Sequence, residues 1–291
     1  MSLIGTMTSG VTAMETFEKG LQVIGNNIAN VNTTGFKAGT TDYADSFSNI
    51  LQVSSPATGA SADTQTIELG TGVSVQATGT DFSQGSLSQT GVPANLGISG
   101  NGFFIVKNPT DGSTFATRAG NFSIDSSGYL VDAEGDRVQG LTGGSAGTTP
   151  STVGDIKLGT PPTGTSLESY SFDTSGNLIE SYSDGSTAVT NQVLMQNFQN
   201  PDALQNAGDN NYTNLQAATP VSGSLTLSAG SNTAGTNGLG SIQGGTLELS
   251  NVDLTNEFAN LITTQRSFEA GSRLITVSDT ILEDIVNLKT H

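Results

Sequence analysis

The chain has no cysteine, no tryptophan and one histidine, His291, which is its last residue. Without cysteine, disulfides, thiolate metal sites and cysteine nucleophiles are excluded, and the composition suits a protein that must not be trapped by oxidation during export. A lone histidine at a position prone to fray gives no support to Ser-His-Asp catalysis, histidine acid-base chemistry or a His-based zinc site. With Trp 0 and Tyr 5 there are few aromatic platforms on which sugars would stack, which weighs against a carbohydrate-active enzyme. Positive charge is scarce too: Lys+Arg 9 against Asp+Glu 26 gives a formal charge of −17. Phosphate backbones and anionic lipid surfaces would repel such a chain, so neither nucleic-acid binding nor membrane insertion is expected. No stretch approaches the ~18 consecutive apolar residues of a spanning helix. The opening segment is amphipathic, interrupted by Glu15, Glu18 and Lys19, and does not read as a secretory signal. Export would need another route.

What the chain does have is two similar ends around a different middle. Apolar residues recur at three-four spacing at Leu3, Met7, Met14, Phe17, Leu21, Ile24, Ile28 and Val31, interrupted by Gly10. They recur again at Leu254, Phe258, Leu261, Phe268, Ile275, Leu282 and Val286, widened by Leu274, Ile281, Ile285 and Leu288 to nearly the whole helix circumference. A helix apolar on so many sides needs partners. The two helices can cover each other only in part, so further contacts with other copies of the same chain are expected, and these fifteen residues form the candidate polymerisation seam. The first helix should run to about Val31 and the last should begin near Ser250-Asn251, with Asp253 in its first turn.

Between the helices, apolar content is low over 38–72, which reads as an extended connector carrying one apolar patch at helical spacing, Tyr43, Phe47, Ile50 and Leu51. From Val73 the period changes to two, and the run Phe103-Phe104-Ile105-Val106 reads as a buried strand. The segments Phe122–Val131 and Tyr170–Ile179 echo each other, each a strand, an Asp-x-x-Gly turn and a strand. Gly97 to Gly102 matches a phosphate-binding loop in glycine count, but a strand and not a helix follows, so a tight turn is the stronger reading. The acids of Asp125 to Asp136 and Asp173 to Gly176 are ordinary hairpin chemistry and lack the ligand pattern of a calcium loop. No catalytic, cofactor or metal site is assigned. The fold class is α+β: a discontinuous helical domain from paired N- and C-terminal helices (1–37 plus 246–291), a connector (38–72) and an inserted all-β domain (73–245).

Val23-Ile24-Gly25-Asn26-Asn27-Ile28-Ala29-Asn30-Val31-Asn32-Thr33-Thr34-Gly35-Phe36-Lys37 resembles the signature of the flagellar basal-body rod and hook proteins. Asn26, Asn27, Ala29, Asn30, Gly35, Phe36 and Lys37 are its most distinctive positions. Phe82–Leu87, Ile98–Phe104 and Thr117–Phe122 resemble the central β domain of that family, and Glu257–Ala270 its closing helix. Within the family, Gly25, Asn200-Pro201-Asp202-Ala203-Leu204 and Ile285-Val286-Asn287-Leu288-Lys289 favour the hook. The short segment between Val138 and Val193 has no room for the additional outer domain of typical hook proteins, which is a distal-rod trait. The resemblance implies a non-enzymatic, cofactor-free subunit of the flagellar hook, with the distal rod as the alternative. It implies a homopolymeric hollow tube that transmits torque, flanked by the rod, the hook-filament junction and a growth cap, and export through the flagellar type III apparatus. A secreted β-rich carbohydrate-active enzyme or adhesin is the rival class, and neither accounts for paired seams.

Overall fold

The computed structural model describes residues 3–54, 65–144 and 149–289. Chain contacts divide it into two units, one comprising Met1–Ala29, Gly39–Asp81 and Val252–His291, the other Asn30–Ala38 and Phe82–Asn251. Part of the low-apolar segment (55–64) and the side chains of Leu3 and Lys289 lie outside the described residues, as does His291.

The first unit is built on two helices, α1 (Leu3–Ala29) and α2 (Leu254–Lys289). The first stops two residues short of the expected Val31, where Asn30 to Gly35 turn the chain. The second starts later than expected because Asp253 caps it: its Oδ1 accepts the Thr255 N–H at 2.8 Å and the Asn256 N–H at 3.4 Å. The helices are antiparallel. The Thr6 and Ser278 hydroxyls meet at 3.4 Å near one end, and Asn27 Nδ2 donates to Glu257 Oε1 at 3.1 Å near the other. Between these points two glycines face each other. A Cβ on Gly10 would lie 3.1 Å from Ile275 Cγ1, and one on Gly271 would lie 3.2 Å from Met14 Cγ, so small residues set the interhelical distance.

The segment read as an extended connector is instead strands. Gly39–Asp45 pairs antiparallel with Val73–Thr80, from Gly39 opposite Thr80 to Asp45 opposite Val73, with a bulge at Asp42/Tyr43. Ser48–Gln52 pairs with Ile67–Gly70. The ribbon is tied to α1 by the Thr16 hydroxyl donating to the Val73 carbonyl at 3.1 Å and by Tyr43 set edge-on to Phe17 at 6.0 Å. The apolar patch is therefore strand-borne and not helical. Tyr43 reaches α1, whereas Phe47 is 89% exposed. Val73–Thr80 consequently belongs with the helices and not with the β-rich unit. Sequence period misled here because Gly39–Asp45 sets one aromatic, Tyr43, among mostly polar residues and so shows no apolar alternation.

The second unit centres on an antiparallel sheet running Leu167–Phe172, Asn177–Tyr182, Thr187–Val193, Arg137–Thr142, Phe103–Lys107, Thr114–Thr117, Asn211–Thr213 and Gln205–Gly208. Phe103–Lys107 is buried on both faces, which is why it reads as an unbroken apolar run. Alternate residues feed two cores: Phe104 and Val106 join Leu96, Ile98, Val138 and Ile242, while Phe103 and Ile105 join Leu141, Phe198 and Tyr212. The sequence echo resolves into hairpins of one design. Asp125 Oδ1 accepts the N–H groups of Ser127 and Tyr129, and Asp173 Oδ1 those of Ser175 and Asn177, all at 2.7–2.9 Å. Gly100 and Gly102 take φ of +110° and +126° and turn the chain into Phe103, as expected of a tight turn. Thr246–Glu248, grouped with the last helix by sequence, is a strand paired with Leu87–Gln89.

Gly120 is the least replaceable position of this unit. A Cβ there would sit 1.6 Å from the Leu96 carbonyl oxygen, a backbone atom that already accepts no slack because Leu96 N–H donates to Gly120 O at 2.9 Å. Gly120→Ala is predicted to cost on the order of 4 kcal/mol of β-unit stability. Gly25→Ala, on an exposed turn of α1 with open space around it, is predicted to stabilise the helix by about 0.5–1 kcal/mol. Denaturant unfolding of the two variants checks both signs.

Candidate functional site

The helix pair brings some seam residues together and leaves others bare. Leu261, Phe268, Ile275 and Leu282, seven residues apart along α2, are half-buried, as are Met7, Met14, Phe17, Leu21 and Ile28 of α1, and Ile24 is buried. Leu254, Phe258 and Val286 are exposed, and Val31 lies beyond the helix, half-buried. Further apolar residues of α2 face solvent on both flanks of that seam, Phe258 and Ile262 near its start and Leu274, Val277, Ile281 and Ile285 in its second half, each 42–55% exposed. Within the pair, signature residue Asn27 is 2% exposed and clips the helix end to the ribbon: its Nδ2 donates to Gly39 O and its Oδ1 accepts the Gly39 N–H, both at 2.8 Å. Asn26 and Ala29 are exposed.

Asn30, Gly35, Phe36 and Lys37 lie in the β-rich unit, where Gly35 and Lys37 meet a buried charge cluster. Lys37 has no exposed side-chain surface and places Nζ 2.6 Å from Glu248 Oε1. Arg118 Nη1 lies 3.2 Å from Glu248 Oε2, and its Nη2 donates to Gly100 O at 3.0 Å. The Gly85 N–H adds a further bond to Glu248 Oε1 at 2.9 Å. Burial pushes the Arg118 guanidinium below its usual value, and the charge of Glu248 opposes this. The guanidinium stands 5.2 Å from the Phe103 ring centroid.

The backbone closes the same point from both directions. Gly35 N–H donates to Glu248 O at 2.8 Å, and Ala38 N–H to Asn251 Oδ1 at 2.8 Å. Lys37 Nζ and Asn251 Nδ2 both donate to the Ser83 carbonyl, at 2.7 and 3.2 Å. Gly35 takes φ +70°, and a Cβ there would meet Ala119 N at 2.5 Å, so only glycine fits. Residues 30–38, which follow α1, and 246–251, which precede α2, are thus locked to one carboxylate. Glu248 and Arg118 were not singled out by sequence reasoning. The available signal was Leu247-Glu248-Leu249, a carboxylate inside an apolar strand, in a chain with few cations to pair it.

Among the described residues, no group of three or more His, Cys, Asp or Glu is placed to hold a metal ion, and no helix is long and apolar enough to cross a membrane. Three family descriptions match: "Flagella basal body rod protein" over residues 7–37, "Flagellar hook protein FlgE/F/G D1 domain" over 97–181 and "Flagellar basal body rod FlgEFG protein C-terminal" over 243–288. The chain is 35% identical over 288 residues to the flagellar basal-body rod protein FlgG of Bacillus subtilis, covering 99% of this chain and 100% of that one. It is 24% identical to the flagellar hook protein FlgE of Borreliella burgdorferi over an alignment of 451 residues, covering 99% and 100%. With the hook protein FlgE of Treponema pallidum it shares 40% identity over 139 residues, 47% of this chain and 30% of that one. The chain belongs to the flagellar basal-body rod and hook protein family: it is a structural subunit of the flagellar rod or hook and resides in the flagellum.

Removing the shared carboxylate should be severe, since it leaves two buried cations. Glu248→Ala is predicted to lower β-unit stability by about 3–5 kcal/mol, while Glu168→Ala, in an exposed part of an edge strand, should change it by less than about 0.5 kcal/mol. Thermal unfolding followed by circular dichroism distinguishes these outcomes.

Proposed function

We propose that this chain is a non-enzymatic hook subunit of short form that polymerises with its own copies into a hollow tube. The observation that carries the reading is that apolar residues of α2 on both flanks of its packed seam, Phe258 and Ile262 and then Leu274, Val277, Ile281 and Ile285, stay uncovered while the seam itself packs on α1. A helix pair alone leaves that surface in water, whereas stacked copies would bury it, at roughly 25 cal/mol per Å² of apolar area. In this reading α1, α2 and the ribbon of residues 39–81 form a discontinuous helical domain, and the β-rich unit is inserted into it. The helices supply the permanent contacts of the tube. The Ser/Thr-rich β surface supplies weaker, exchangeable ones, as a tube stiff in twist and compliant in bending requires. The neighbours would be the rod below, the hook-filament junction above and a cap during growth, reached through the flagellar type III apparatus.

The hook reading draws on the local 40% identity to a hook protein over 139 residues. A second reading, the distal rod, draws on length: the alignment with a rod protein runs end to end over 288 residues, while that with a full-length hook protein needs 451 for a chain of 291. Tubes grown from purified protein separate the two by electron microscopy, since hooks curve and rods are straight; curved tubes are expected.

Two further outcomes test the assembly role. Leu261→Asp or Leu282→Asp should abolish tubes while leaving the β-rich unit folded, because an unpaired carboxylate in the packed layer costs several kcal/mol in each subunit. Tubes of normal length from either variant would contradict the packing. In the monomer, limited proteolysis should trim α1 and α2 first, since neither helix has its lattice neighbours to offset ordering entropy. The surviving fragment should keep residues 30–38 linked to 82–251, because Lys37 and Glu248 hold both connectors.

A further inference from the structure

The hairpin turn Asp132–Asp136 of the β-rich unit is built like the turn Asp173–Asn177 but lacks one of its hydrogen bonds. In the latter, Asp173 N–H donates to Asn177 O at 3.1 Å and Gly176 N–H to Asp173 O at 3.0 Å, while Asp173 Oδ1 accepts the N–H groups of Ser175 and Asn177 at 2.9 and 2.8 Å. The former repeats this bond for bond. Asp132 N–H donates to Asp136 O at 3.0 Å and Gly135 N–H to Asp132 O at 3.2 Å, and Asp132 Oδ1 accepts the N–H groups of Glu134 and Asp136 at 3.0 and 2.9 Å. The difference lies in the last residue of the turn. Asn177 Nδ2 donates to Asp173 Oδ2 at 2.9 Å, whereas Asp136 stands in the matching place, and an ionised carboxylate has no hydrogen to offer.

Asp136 does not turn to water instead. It is 3% exposed, and its Oδ1 is buried without a hydrogen-bond partner. The strongest charges acting on the carboxyl are negative: Asp132 and Glu134 from its own turn, and Asp111 from the turn that leads into Thr114–Thr117. The flanking strands carry two cations, Arg137 and its register partner Lys107, but both serve another carboxylate. Arg137 pairs with Asp155 at 2.9 Å, and Lys107 also acts on Asp155. Burial first, and then the charge of Asp132, push the Asp136 carboxyl above the ordinary aspartate value, against a hydrogen bond from Asn108. An ionised Asp136 would be a buried charge among like charges, a costly arrangement that one proton removes.

We propose that Asp136 is held as the neutral acid in the folded unit, its O–H donating to the Asp132 carboxylate, so that the two carboxyls share one proton where the twin turn uses an amide. The hairpin is then an acid-responsive element. Because the folded unit holds a proton that the unfolded chain releases, its contribution to stability is complete below the ordinary aspartate value and is lost as pH rises through the raised one. The turn also stands beside the segment that follows α1. Asp132, Ala133 and Glu134 line a cleft of about 190 Å³ with Thr33 and Thr34, and Asn210 Nδ2 donates to Thr34 O at 2.9 Å. Loss of the proton thus loosens a hairpin that flanks the entry of the chain into this unit. The device acts within one subunit and is independent of the assembly reading above.

The test uses Asp136→Asn in the full chain, a change that keeps the size of the side chain and supplies a permanent N–H. In denaturant unfolding at neutral pH the variant should have a higher midpoint than wild type, and this gain should shrink as the pH is lowered and the wild-type acid takes up its proton. General relief of charge repulsion in acid acts on both proteins alike, so the difference between them isolates the turn. Independently of the variant's stability, NMR of the side-chain carboxyl carbons of the wild-type chain should show the Asp132–Asp136 pair releasing one proton with a midpoint above the ordinary aspartate value. An Asp136→Asn midpoint at or below wild type at neutral pH, a gain that persists undiminished in acid, or a pair that is fully ionised by the ordinary aspartate range would overturn the shared proton.

Discussion

The fold turns on a single buried carboxylate. Glu248 has no solvent of its own, and an ionised group so placed is tolerable only with close cations and donors around it. Lys37 arrives from the segment after α1, Arg118 from the sheet, and Glu248 itself from the segment before α2. Three stretches distant in sequence must therefore be in place together. Replacing all three by apolar residues of similar volume is often harmless in such clusters, whereas replacing one is not, and that asymmetry makes the cluster a device for specifying geometry more than for adding stability. Here the geometry specified is where the chain enters and leaves the β-rich unit.

The helices obey a different constraint. Opposed Gly10 and Gly271 bring α1 and α2 close, and the heptad Leu261, Phe268, Ile275 and Leu282 is half-covered as a result. What a single pair cannot do is cover α2 all round. Six of its large apolar residues stay 42–55% exposed, on both flanks of the packed seam. The β-rich unit exposes few large apolar side chains by contrast. Under the polymer proposal, the helices would supply the strong apolar association and the β-rich unit the weaker contacts.

Much of this was legible in the sequence, and the reasons differ by region. The two helices were plain because hydropathy repeats over many turns average out local noise, and the hairpins at Asp125 and Asp173 were plain because Asp-x-x-Gly has one dominant geometry. The strand Phe103–Lys107 announced its two-sided burial through an unbroken apolar run. The ribbon Gly39–Asp45 with Val73–Thr80 was not legible. Val73–Thr80 announced itself as a strand by its period of two, but its partner Gly39–Asp45 shows no alternation and lies across a long excursion, so their pairing was hidden. Helix ends were misjudged by a few residues where capping, by Asp253, and turn formation, from Asn30 to Gly35, decided the boundary. The Glu248 cluster was half legible: Lys37 stood in a recognisable signature, but its burial depends on a carboxylate 211 positions away, a contact no local pattern encodes.

The central claim is that the exposed apolar residues of α2 become buried between copies. Hydrogen-deuterium exchange of the monomer and of assembled tubes, compared peptide by peptide, tests it most directly. The account predicts fast exchange across residues 254–289 in the monomer and protection rising by orders of magnitude in the tube, with the β-rich core protected equally in both. Equal protection of α2 in the two states, or tube-dependent protection confined to the β-rich unit, would contradict it.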